Sequence, residues 1–87
     1  MTLSTKGGVL TNAYIYDYSK LLGRIREKGF TQKALAYAVN ISEASLNLAL
    51  NNKRKFKQDE IMALCGVLEI PISCVEHYFF CRKSLEI

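Results

Sequence analysis

Two segments lying far apart in this chain carry the same spacing of apolar side chains. Tyr18, Leu21, Leu22 and Ile25 fall at i, i+3, i+4 and i+7, and so do Ile61, Leu64, Cys65 and Leu68. That spacing puts all four members of each set on one stripe of an α-helix, whereas a strand would scatter them over both of its faces. A helix with a single apolar stripe must bury it against another element. With 87 residues there is room for one core and not two. The expected fold is therefore all-α, a compact bundle of short helices.

Punctuation between the stripes sets the count at five. Asp17 is placed to cap the first helix, and Gly29 to end it, with Arg26 and Lys28 in the last turn. Thr31 then caps a short alanine-rich helix, "TQKALAYAV", which Asn40 interrupts before Ser42 caps a third. "NNKRKFK" is too charged for a core. The second stripe follows from Gln58, and Pro71 stops it. Ser73 and Glu76 have capping-box spacing ahead of a fifth helix, "CVEHYFFC". Residues 1–13 contain Gly7 and Gly8 and show no period; they are expected to form a flexible arm ahead of a domain spanning 14–87.

One stretch tests the helical reading. In "SEASLNLALNNKRKF", residues 42–56, Leu46, Leu48 and Leu50 alternate as a half-buried strand would. A lone strand has no partner in an otherwise helical chain. As a helix, the segment puts Leu46, Ala49 and Leu50 on one face and turns Leu48 about 200° away from Leu46. Leu48 is thus expected to point out of the core.

Charge is unevenly spread. Up to Lys57 ten Lys and Arg stand against Asp17, Glu27 and Glu43, about +7; beyond it Arg82 and Lys83 stand against five acids, about −3. A basic side of that size suits a polyanionic partner. The chain lacks a signal-peptide core and an apolar run long enough for a membrane span, and its three cysteines fit a reducing compartment. A cytoplasmic protein is expected.

The pair of helices joined through Asn40-Ile41-Ser42 reads as a helix-turn-helix. "TQKALAYAVNISEASLNLALNNKRKF" resembles the corresponding part of the phage Cro and repressor proteins, the lambda-repressor-like or XRE-type family. The matching positions are Thr31-Gln32, Leu35-Ala36, Val39, Ile41-Ser42, Leu46 and Ala49, within a likeness extending over about residues 16–70. Ala36 lets the helices approach, and the larger apolar residues fill the angle between them. Asn40 stands where the family prefers glycine, at a turn that needs a left-handed backbone.

The resemblance implies a sequence-specific DNA-binding transcriptional repressor, a homodimer on a double-stranded operator, with neither a cofactor nor a small-molecule ligand. Ser42, Glu43, Ala44, Asn47 and Leu48 would face base edges, and Gln32, Asn51, Lys53, Arg54 and Lys55 would hold phosphates. Against this stands a gap: no Lys or Arg lies between Lys33 and Lys53, and the reading helix contains no Gln. That gap, with the outward leucine, lends support to an alternative to the repressor reading, in which the same scaffold is a protein-interaction module that modulates a repressor.

Other chemistry is poorly supported. Cys74, His77 and Cys81 on the last helix, with Cys65, do not have the spacing of a zinc site. One histidine, with no phosphate-cradling glycine loop and no third partner for Ser73 and His77, gives no basis for an enzyme. Val75, Tyr78, Phe79 and Phe80 are more apolar bulk than one small helix is expected to bury, which would leave a seam for a dimer.

Overall fold

The spacing of the apolar residues is realised as a bundle of helices. The computed structural model describes residues 15–82, so the expected arm at 1–13 lies outside the described residues. Within them run α1 (Ser19–Glu27), α2 (Gln32–Ala38), α3 (Glu43–Leu50), α4 (Gln58–Leu68) and α5 (Val75–Phe79), the last entered through a 3-10 turn over Ile72–Cys74. Among the described residues, no single helix is long and apolar enough to cross a membrane.

The helix starts follow the sequence, with one exception. Thr31 Oγ1 accepts the Ala34 amide at 3.0 Å, and Ser42 Oγ accepts that of Ser45 at 3.0 Å. The Asp17 carboxylate accepts from both the amide and the hydroxyl of Ser19, at 2.9 and 2.7 Å. These contacts satisfy amides that the first turn of a helix leaves without partners. The exception is the box expected from Ser73 and Glu76, which does not form. Pro71 begins a tighter turn there, and its carbonyl takes the Cys74 amide at 2.8 Å.

The helix ends share a single device. α1 to α4 are each closed by a residue with positive φ: Gly29 (81°), Asn40 (62°), Asn52 (61°) and Glu69 (57°). In each case the next residue's amide reaches five residues back. Phe30 binds the Ile25 carbonyl, Ile41 that of Ala36, Lys53 that of Leu48 and Ile70 that of Cys65, at 2.8–3.0 Å. This is the Schellman closure, and it commonly brings an apolar residue back over the end of its helix. Phe30, Ile41 and Ile70 fill that place and pack on the core; at the end of α3 the place is held by Lys53, which is exposed.

Those reversals gather one core. Leu21, Leu35, Leu46, Leu64, Leu68 and Phe79 are fully buried, with Tyr18, Ile25, Ala36, Val39, Leu50, Ile61, Cys65 and Ile70 around them. Each such leucine contributes about 1.5–3 kcal/mol relative to exposure. α2 packs on α3, and α1 on α5. Rings of Tyr18, Phe56 and Phe79 meet edge to face at 5.5 Å between successive centroids. The expected apolar excess of the last helix is partly absorbed: Phe79 is buried and Val75 and Tyr78 pack on the core, while Phe80 remains exposed.

The first and last of the described residues are tied together. Tyr16 pairs with Arg82 in an isolated antiparallel bridge, and the Asp17 amide donates to the Cys81 carbonyl at 2.6 Å. Arg24 closes the far end of α4, donating to the carbonyls of Leu68 and Glu69 at 2.9 and 3.0 Å. Lys28 pairs with the Glu69 carboxylate at 2.6 Å.

Gly29 isolates the cost of the left-handed closure, because a Cβ built there meets nothing within 4 Å. Gly29→Ala should lower the unfolding free energy by about 1–2 kcal/mol through backbone strain alone, read from urea denaturation.

Candidate functional site

The outward surface of α3 is the natural place to look, since both readings of the sequence converge on it. Leu46 and Ala49 are fully buried and Leu50 nearly so, which fixes the rotation of the helix. Leu48 stands 46% exposed, as its angular position requires. Around it Glu43, Ala44, Asn47 and Asn51 are exposed as well.

The polar groups of this face are largely engaged with one another. Ser42 is occupied as a cap. Asn47 Nδ2 donates to Gln32 Oε1 at 3.2 Å, tying α3 to the first residue of α2, and Asn51 Nδ2 donates to the Asn47 carbonyl at 2.8 Å. What remains is a nearly neutral surface with one charge, Glu43, at its start and a leucine near its end.

The basic run after α3 divides into two roles. Lys53 and Lys55 are exposed and take no ion-pair partner among the described residues. Arg54 turns inward. Its Nε donates to the Ser45 carbonyl at 3.1 Å and its Nη1 to the Lys55 carbonyl at 2.8 Å, while the fork grips both oxygens of Glu60 at 3.0 and 3.2 Å. Glu60 Oε1 also accepts the Lys57 amide at 2.9 Å, satisfying the first turn of α4. Arg54 is thus a strut between α3, the loop and α4. Burial alone would raise the Glu60 carboxyl, but the hydrogen bonds from Arg54 and Lys57, with their charges, outweigh it and hold it below its ordinary 4.5.

One residue at the site was not foreseen. Asn52, left-handed at the end of α3, turns its amide onto the backbone of Tyr16: Oδ1 accepts the Tyr16 amide at 2.9 Å and Nδ2 donates to the Tyr16 carbonyl at 3.0 Å. The side chain replaces a neighbouring strand for one residue. No local signal marks this, since the partners lie 36 positions apart. Elsewhere, Cys65 is buried, Cys74 half-buried and Cys81 exposed, and among the described residues no three His, Cys, Asp or Glu side chains converge on a point that would hold a metal ion.

Comparison with known proteins weighs against the first of the two readings. Residues 14–82 match the family described as a protein of unknown function, DUF739. The chain belongs to that family. No curated protein matches it in sequence. Among solved structures it is similar to the modulator of repression of the temperate bacteriophage TP901-1 from Lactococcus lactis, at 46% identity. That match has a TM-score of 0.66 and covers 75% of this chain and 88% of the other.

These findings overturn the assignment to the Cro and repressor family, and with it the operator-bound, DNA-binding repressor and its double-stranded DNA partner. The physical reason lies in which residues carried the likeness. Leu35, Ala36, Val39, Leu46 and Ala49, all buried, and the partly buried Ile41 shape the corner between α2 and α3, and residues that set an angle say nothing of what the outer face binds. Ser42, Glu43, Ala44, Asn47 and Leu48, expected at base edges, form a surface without a single cation. Of Gln32, Asn51, Lys53, Arg54 and Lys55, expected at phosphates, only Lys53 and Lys55 present free charge.

The Arg54–Glu60 strut makes a pH-dependent contribution. The unfolded Glu60 carboxyl titrates near its ordinary value and the folded one below it. The contribution is therefore complete above the ordinary range, erodes as pH falls through it and vanishes below the folded value. Urea midpoints should drop on acidification and do so less steeply in Glu60→Gln; Arg54→Ala should cost about 1.5–3 kcal/mol at neutral pH.

Proposed function

We infer that this protein modulates repression by binding a repressor protein through the exposed face of α3. The observation that carries the reading is the 46% identity to a phage modulator of repression over most of both chains, since near-half identity in so short a domain extends to its surface. The geometry supports it independently. A neutral face with a protruding leucine suits an apolar pocket on a protein better than the edges and phosphates of a duplex. On this reading the protein acts by association alone, without catalysis or cofactor, in the cytoplasm beside the repressor.

Leu48 is the anchor of the proposed contact. Half-exposed on a helix whose other large residues are buried, it can enter a partner without disturbing the core. A carboxylate there would be desolvated without compensation.

The experiment pairs the purified protein with the repressor encoded in the same genome, and reads a reporter under that repressor's promoter. Wild type should change the reporter's repression and bind the repressor in titration calorimetry, whereas Leu48→Asp should lose at least about a hundredfold in affinity while unfolding at the wild-type temperature. Tight binding of wild type to the operator alone, with none to the repressor, would sink the reading.

A further inference from the structure

Three partly exposed apolar side chains sit on segments that are linked to one another. Leu48 stands 46%, Ile15 38% and Phe80 45% exposed. They belong to three distant parts of the sequence, yet a series of backbone and ring contacts connects the segments that bear them. The Leu48 carbonyl accepts the Lys53 amide at 2.8 Å, so the turn containing Asn52 sits at the Leu48 backbone. Asn52 clasps both backbone groups of Tyr16, the neighbour of Ile15. The Tyr16 ring meets that of Phe80 edge to face, with centroids 5.8 Å apart. Asn52 therefore links the Tyr16 segment, and through its ring contact Phe80, to the end of α3.

The rim of this region is basic. Lys53 and Lys55 follow Asn52 directly, both exposed and without an ion-pair partner among the described residues, while the third cation of the run, Arg54, is turned inward. Two free cations in the turn that links three half-exposed apolar groups are a poor match for duplex DNA, whose outer surface offers phosphates and nothing to cover leucine and phenylalanine. They match a protein segment that carries apolar anchors with carboxylates beside them.

We propose that Leu48, Ile15 and Phe80 form one docking surface, joined by Asn52, and that its occupant is an amphipathic, acid-flanked segment of the repressor, whose carboxylates meet Lys53 and Lys55. This rests on the reading above and extends it in two respects. The surface reaches beyond the helix-turn-helix to both ends of the described chain, and the partner's charge has a stated sign. The Leu48 half of the contact follows from α3 alone; the Ile15 and Phe80 half is held together by the Tyr16–Arg82 bridge and the Asp17–Cys81 hydrogen bond, and Asn52 links it to the end of α3.

The test titrates the full-length protein against the repressor at low and raised salt. Ile15→Ser and Phe80→Ala should each weaken binding by about tenfold, and the double variant Lys53→Glu, Lys55→Glu by tenfold or more. Raised salt should weaken wild type more than Lys53→Gln, Lys55→Gln, whose rim charges are gone. Ile15 carries no core packing, so its variant remains informative even if Phe80→Ala unfolds. Wild-type affinity in the Ile15 and Phe80 variants, with Leu48→Asp still inactive, would overturn the extended surface and leave repressor binding by α3 standing. Tighter binding on charge reversal would overturn the acidic partner. No binding by wild type, or binding only to duplex DNA, would remove both.

Discussion

Helices of five to eleven residues are not stable alone in water, so this fold depends on the chain reversing sharply enough to stack them. The left-handed residue at the end of each of α1 to α4 supplies that reversal. Only one of the four is glycine. The two asparagines tolerate the conformation, and Glu69 is held in it by surroundings: Arg24 on its carbonyl and Lys28 on its carboxylate. Relax any of these ends and the following helix leaves the common core.

The same constraint shapes the surface. Three of the closures fold an apolar residue back onto the core, and those ends are sealed. The end of α3 has the exposed Lys53 in that position, and Leu48, whose carbonyl takes the Lys53 amide, is turned to solvent by its angle on the helix. Asn52 then serves twice, as the left-handed residue of the turn and as the clasp on Tyr16. A device that ends a helix also assembles the region where a partner is expected to dock.

Arg54 and Arg24 show why a basic composition is a weak guide to ligands. Both guanidinium groups serve backbone carbonyls and a carboxylate of the fold itself, as a planar fork with five donors is suited to do. The helix-turn-helix corner is equally unspecific. Its buried residues fix the angle between α2 and α3, whereas recognition depends on what the outer face presents. On this chain the face presents alanine, asparagine, one glutamate and a leucine.

Much was legible in the residues themselves. The i, i+3, i+4, i+7 stripes determined an all-α bundle, because apolar period follows directly from helical geometry. Thr31, Ser42 and Gly29 marked boundaries because capping is a short-range matter of one side chain and the nearest amides. The outward direction of Leu48 followed from its angle to Leu46. Only the tertiary structure decided that Arg54 turns in to Glu60 while Lys53 and Lys55 remain free, and that Asn52 reaches Tyr16. It also decided that Pro71 replaces the expected Ser73 cap with a tighter turn. The Arg54 and Asn52 outcomes depend on which groups folding brings within hydrogen-bond distance of one another, and spacing along the chain does not encode that proximity.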